Sequence, residues 1–148
     1  MATIIANGCF DLFHEGHHRF LTAAKFLGVC KNNQWYTGGV QHRLIVCVNS
    51  DESANLLKSS KWGDRYPIDN LFRRMENVMR YADETISFDT EDQLHEIIKK
   101  FVPCILVKGP DYAAMPVTGD DIAPVLILDT PEPEAVKQMK QEVYRVKK

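Results

Sequence analysis

Apolar positions along this chain fall into two alternating kinds of run. Short blocks without internal period, Thr3 to Ala6, Leu44 to Val48, Thr85 to Phe88, Ile105 to Lys108 and Val125 to Leu128, read as strands covered on both faces. Between them, Phe20, Leu21, Ala24 and Leu27 recur at helical spacing, with Gly28 placed to cap that helix. Asp69 to Tyr81 and Glu91 to Phe101 predict two further helices, and Glu134 to Val146 an amphipathic helix that closes the chain. A short polar helix after Asn49-Ser50-Asp51 is followed by Lys58-Ser59-Ser60-Lys61-Trp62-Gly63-Asp64-Arg65-Tyr66-Pro67, which reads as a mobile basic loop. Strands alternating with helices require parallel pairing through right-handed crossovers. The predicted fold is therefore α/β, a parallel five-stranded sheet flanked by helices.

One segment has neither period. From Cys30 to Gln41 the polar, glycine-containing stretch around Trp35 and Tyr36 predicts a surface insertion, a loop or a hairpin. It joins the first helix to the second strand, so it belongs at the sheet end away from the strands' carboxyl termini. Trp35 and Tyr36 are then left for a subunit contact, as in a homodimer, or for a local cap.

Composition narrows the classes. A chain of 148 residues with 45% hydrophobic content suits one domain over residues 1–148 with a well-buried core. Its 18 basic and 20 acidic residues leave a net charge of −2, which builds no broad positive field for nucleic acid or an anionic membrane. There is no run of about 18 apolar residues, and Met1-Ala2-Thr3-Ile4-Ile5 lacks a basic n-region, so a soluble, unexported, cytoplasmic protein is expected. Cys9, Cys30, Cys47 and Cys104 form no C-x-x-C pair and read as buried free thiols.

Candidate chemistry gathers at strand ends. An open parallel sheet binds ligands beyond the carboxyl ends of its strands, where strand order reverses. Asn7 to Asp11, Asn49 to Asp51 and Lys108 to Tyr112 each follow a predicted strand and converge on that rim. In Asn7-Gly8-Cys9-Phe10-Asp11-Leu12-Phe13-His14-Glu15-Gly16-His17, two histidines flank a glycine where strand turns into helix. A helix start offers unpaired N–H groups and partial positive charge, and Gly16 permits close approach, which suits a triphosphate. Cys9, His14 and His17 are also legitimate zinc ligands, the competing reading. His18 is expected to point into solvent.

That run resembles the G-x-F-D-x-x-H-x-G-H element of the cytidylyltransferase-like nucleotidylyltransferases, and the resemblance continues through Val48-Asn49-Ser50-Asp51 and Val107-Lys108-Gly109-Pro110-Asp111-Tyr112. It implies a Rossmann-like domain in which Gly8, Cys9, Phe10 and Gly16 cradle a nucleoside triphosphate, with Asp11, Asn49 and Asp51 toward the substrates. His14 and His17 would stabilise charge on the α-phosphate as an acceptor phosphate attacks it, and Mg²⁺ would bridge the phosphates. The family's phosphate-contacting lysine corresponds to Lys58 or Lys61. Arg80-Tyr81-Ala82-Asp83-Glu84 resembles the family's R-Y-V-D-E-V stretch, and Arg73 or Arg74, on the helix before it, would correspond to the family's helix-opening arginine that contacts the triphosphate. Lys108, Gly109 and Asp111 stand in a stretch similar to the V-K-G-G-D-Y of sugar-phosphate adenylyltransferases, especially the heptose 1-phosphate branch. Pro110 replaces the second glycine and removes an N–H there.

The carboxyl end departs from the family. Members carry a hydroxyl-rich G-x-S-T-[TS]-x-I segment that binds phosphate, whereas this chain reads Asp129-Thr130-Pro131-Glu132-Pro133-Glu134. Glutamates at a helix start favour the helix but repel a polyanion. The resemblance thus implies adenylyl transfer from NTP to a heptose-type sugar 1-phosphate. The alternatives are cytidylyl transfer to glycerol 3-phosphate or a related polyol phosphate, and a catalytically silent nucleotide-binding relative.

Overall fold

Five strands pair in parallel in the order β5-β4-β1-β6-β7 in the computed structural model: β1 (Ala2–Gly8), β4 (His42–Asn49), β5 (Glu84–Phe88), β6 (Ile105–Lys108) and β7 (Val125–Ile127). The structure describes residues 2–27, 29–31, 34–36, 42–110, 115–130 and 132–144, without the side chains of 29–31 and 34–36. The Gly28 cap, Asp111, Tyr112 and Pro131, the side chains of Cys30, Trp35 and Tyr36, and the closing helix beyond Tyr144 lie outside the described residues.

Period-two alternation explains the layering. Ile4, Ala6, Leu44, Val46, Val48, Ile105 and Val107 face one side and bury against α1 (Glu15–Lys25) and α3 (Leu71–Val78), through Leu21, Ala24 and Val78. Ile5, Ile45, Cys47 and Leu106 face the other and bury against Leu94 and Ile98 of α4 (Glu91–Phe101). A central strand with both faces covered has no polar side, hence the unbroken apolar runs. Helix starts are set by short polar side chains that accept from the backbone: Ser50 from Ser53 N–H at 3.2 Å, Asn70 from Arg73 N–H at 2.9 Å and Thr90 from Gln93 N–H at 3.1 Å.

One expectation changes. The helix after β4, α2, runs Asp51–Trp62, so Lys58 and Lys61 stand on a helix and the basic loop begins only at Gly63. Of the loop or hairpin expected between α1 and β4, the described residues show the hairpin, an antiparallel pair of its own, β2 (Val29–Lys31) with β3 (Gln34–Tyr36), separate from the main sheet. The closing helix α5 (Glu134–Val143) begins as expected but without a side-chain cap.

Chain order reverses beside β1. After β1, β4 and β5 are laid down on one side, the chain crosses back to place β6 on the other. Asn7 and Lys108 emerge at that crevice, and Lys108 Nζ donates to Asn7 Oδ1 at 2.6 Å across it.

Candidate active site

The loop from β1 into α1 has a strained backbone. Phe10 and Leu12 occupy the left-handed region at φ of 55° and 47°, at a cost of roughly 1 kcal/mol each. Between them, buried Asp11 offsets that cost. Its Oδ2 accepts from Ile68 N–H at 2.8 Å and the Tyr144 hydroxyl at 2.7 Å, and its Oδ1 from Asp69 N–H at 2.8 Å. Asp11 therefore anchors the loop to the segment before α3 and to the end of α5. The carboxylate expected to meet substrate is committed to the protein.

Helix α1 is capped by its own two histidines. His14 is the N-cap residue, and its Nδ1 accepts from Gly16 N–H at 3.1 Å and His17 N–H at 3.4 Å, while His17 Nδ1 accepts from His14 N–H at 3.3 Å. This is a capping box in which imidazoles replace the usual hydroxyl and carboxylate. The rings stack with centroids 3.7 Å apart. A ring nitrogen that accepts carries no proton, so the hydrogen bonds assign the neutral rings as Nε2–H tautomers. Burial, helped by Lys140, pushes the His14 pKa down to about 4, and burial with His14 alongside holds His17 well below 6.5. At neutral pH the pair presents two uncharged Nε2–H donors. Gly16 is required here, because a Cβ would lie 2.9 Å from His14 Cε1.

A cavity of about 300 Å³ opens over this loop. Gly8, Cys9, Phe10, Asp11, His14, Gly16, His17, Lys58, Lys108 and Gly109 all line it, so three separate strand–helix units bring their expected residues together. Burial lowers the Lys108 pKa to about 8 and raises that of the Cys9 thiol, leaving Cys9 a packing group. Cys9, Cys47 and Cys104 are free thiols. The zinc reading finds no support, since among the described residues no group of three or more His, Cys, Asp or Glu converges to hold a metal.

Several expected residues stand elsewhere. Arg74 is completely buried, and its guanidinium donates to the carbonyls of Asp69 at 3.0 Å and of Cys9 and Asn49 at 2.8 Å each, and to Asp51 Oδ1 at 2.7 Å. It ties the ends of β1 and β4 to α3 and has no face left for a triphosphate. That bond also holds Asp51, while buried Asn49 donates to Ser53 Oγ at 2.9 Å, and neither lines the cavity. Arg73 projects into solvent with Asp69 3.9 Å away. Lys61 lies over the Trp62 ring, 5.0 Å from its centroid, also outside the lining. His18 is exposed as expected, though its Nδ1 is 2.6 Å from the Tyr81 hydroxyl.

Residues that sequence reasoning missed come from α5. Lys137 and Lys140 line the cavity beside Thr130 and Glu132, bringing its lysines to four with Lys58 and Lys108. Their three-residue spacing on an amphipathic helix was the available signal, but such spacing equally describes a solvated face. Trp62, Tyr66 and Tyr144 pack together at ring-centroid distances of 5.2 Å and form an aromatic wall.

A strand-order reversal, neutral imidazole donors at a helix start and a lysine-lined cavity suit a phosphate-bearing ligand, and similarity to known proteins makes this a nucleotidyltransferase domain. The chain belongs to the cytidylyltransferase-like family, whose model matches residues 5–126. It is 39% identical over 120 residues to the bifunctional protein HldE of Coxiella burnetii, covering 80% of this chain and 22% of that protein. It is 40% identical over 122 residues to its namesake from Nitratiruptor sp., covering 81% and 22%. The chain thus spans about a fifth of the length of these relatives. A lipopolysaccharide core biosynthesis protein from Thermoplasma volcanium shares the fold, with a TM-score of 0.61 at 17% identity over 89% of this chain and 99% of that one. Among the described residues no helix is long and apolar enough to cross a membrane.

Proposed function

We propose that this domain transfers the adenylyl group of ATP to a heptose-type sugar 1-phosphate and releases pyrophosphate. The observation that carries the reading is the pair of neutral Nε2–H donors at the start of α1, facing a cavity whose lysines come from α2, the end of β6 and α5. An acceptor phosphate oxygen forms a bond to the α-phosphorus as the bond to the pyrophosphate oxygen breaks. Charge gathers on the non-bridging oxygens, where His14 and His17 can donate without first losing a charge to solvent. The lysines neutralise the polyphosphate and the acceptor, and no protein nucleophile is needed.

Magnesium accompanies the triphosphate in this reading. The two carboxylates in the lining, Asp11 and Glu132, are engaged by Tyr144 and Lys140, and among the described residues no group of three or more acids, histidines or cysteines converges, so phosphate oxygens and water would carry the ion. Its chemistry there is to neutralise phosphate charge. Preference for a sugar 1-phosphate rests on the Lys108-Gly109-Pro110-Asp111-Tyr112 resemblance and on similarity to proteins named HldE.

Pyrophosphate release should be measured with ATP, CTP, GTP and UTP against heptose 1-phosphate, glucose 1-phosphate and glycerol 3-phosphate. The reading expects release with ATP and heptose 1-phosphate. Release confined to CTP with glycerol 3-phosphate would reassign the reaction. Nucleotide binding without release for any pair would mark a silent relative.

A further inference from the structure

Glu132 is an acid in a cavity lined by four lysines, whose other carboxylate, Asp11, is bonded to Ile68 and Asp69 N–H and the Tyr144 hydroxyl. Its carboxylate pairs with Lys140, and its Oε1 lies 3.9 Å from His14 Nε2. Its Cγ packs 3.2 Å from where a Cβ on Gly16 would stand, so the side chain lies over the first turn of α1. That is the end where the helix dipole and free N–H groups favour negative charge. Two polar atoms of the same lining are buried without a hydrogen-bond partner among the described residues: His14 Nε2, on a side chain 7% exposed, and Thr130 Oγ1. An Nε2–H donor left 3.9 Å from a carboxylate is too far to bond it and would be satisfied by an oxyanion sitting closer.

We propose that Glu132 is an internal counter-ion that holds the phosphate position in the ligand-free protein, and that a nucleotide's polyphosphate displaces it to take over Lys140, His14 and Thr130. The inference rests on the function proposed above. Lys58, Lys108, Lys137 and Lys140 share the walls of one cavity, and a carboxylate placed among them relieves their mutual repulsion when no ligand is present. A ligand must out-compete that carboxylate. A polyphosphate carries enough charge to do so, whereas a lone phosphate, close in charge to the group it would evict, gains little. Glu132 thereby lowers affinity for every anion but selects for polyphosphates, and the residue that looked incompatible with a triphosphate becomes its gatekeeper.

Calorimetric titration of the whole chain with ATP, inorganic tripolyphosphate and inorganic phosphate tests this. Glu132→Gln keeps the shape and removes the charge. It should tighten ATP and tripolyphosphate by about tenfold and bring inorganic phosphate into measurable range, while Lys140→Met should weaken ATP by about tenfold. Glu132→Ala should tighten binding in the same direction, which separates loss of charge from any new bond made by the glutamine amide. Unchanged or weaker ATP binding in both Glu132 variants would overturn the inference, and a merely structural Glu132 would give that result together with a lower melting temperature. Failure of the unsubstituted chain to bind ATP or tripolyphosphate would instead reject the proposed function itself.

Discussion

His14 and His17 cap each other: each ring's Nδ1 accepts from the other's backbone N–H, at 3.4 and 3.3 Å, and both Nε2–H groups are thereby freed for the cavity. One interaction both starts α1 and sets the tautomer of both rings. The two roles are separable by substitution. Asn at position 14 is a good N-cap but offers nothing at the Nε2 position, so His14→Asn should hold the melting temperature and lower turnover by about 100-fold. His14→Ala should lose about 1 kcal/mol of stability as well. His17→Ala should lower turnover by about 100-fold or more in a folded protein. Near-normal turnover in folded His17→Ala would remove the catalytic assignment.

The same burial makes stability depend on pH. The unfolded chain protonates His14 near 6.5, whereas the folded ring stays neutral until about 4. Between those values the unfolded state binds more protons, so stability falls as pH drops through the window and is insensitive to this group above it. Melting temperatures recorded from pH 7.5 to 4.5 should decline most steeply below 6.5. His14→Asn should show a shallower decline, and an equal slope in the two proteins would assign the dependence to other groups.

Lys108 should set an upper pH limit for binding. With its pKa lowered to about 8 by burial, its ammonium is lost above that value in the ligand-free protein. ATP affinity should weaken as pH rises from 8 to 9.5, with uptake of a proton on binding. Lys108→Arg, which keeps its charge throughout, should flatten the profile. A wild-type affinity that stays constant to pH 9.5 would take Lys108 out of the phosphate contacts.

Arg73 and Arg74 should differ sharply despite being neighbours. Arg74→Met leaves the carbonyls of Cys9, Asn49 and Asp69 without their donor inside the protein and should cost about 3 kcal/mol or more in urea unfolding. Arg73→Ala, on an exposed side chain, should stay within about 0.5 kcal/mol and leave ATP affinity unchanged. A marked loss of affinity in Arg73→Ala would restore it to the triphosphate contacts.

Deleting residues Asn32 to Gly38 should spare nucleotide binding, because α1 ends and β4 begins at the sheet end away from the cavity. Loss of ATP affinity in a folded deletion variant, measured by titration, would place it at the site.

The strands, the order of elements and the crevice at the strand-order reversal were legible in the chain, since strand β6 and helix α4 run Ile105–Lys108 and Glu91–Phe101 as the pattern predicts. A strand buried on both faces must be apolar throughout, and a helix with one buried face must repeat near 3.6 residues, so these properties are written locally. Gly16 and the histidine pair were legible for a similar reason, since a cap is made within a single turn.

Which charged residue faces the ligand was not a local property. Arg73 and Arg74 are adjacent and chemically identical, yet the geometry of α3 sends one into solvent and the other under the ends of β1 and β4, to carbonyls 65 and 25 positions away. Asp11 likewise looks like a ligand until Tyr144, 133 positions distant, is folded onto it. Lys137 and Lys140 read as a solvated helix face, and only the docking of α5 beside the β1–α1 loop turns them toward the cavity and brings Glu132 over Gly16. The sequence by itself determined the elements, their parallel arrangement and the capped turn at the rim, because each depends on neighbours a few residues apart. Tertiary structure alone decided the allocation of charge, because Coulomb and hydrogen-bond energies depend on distances in space that chain separation does not encode.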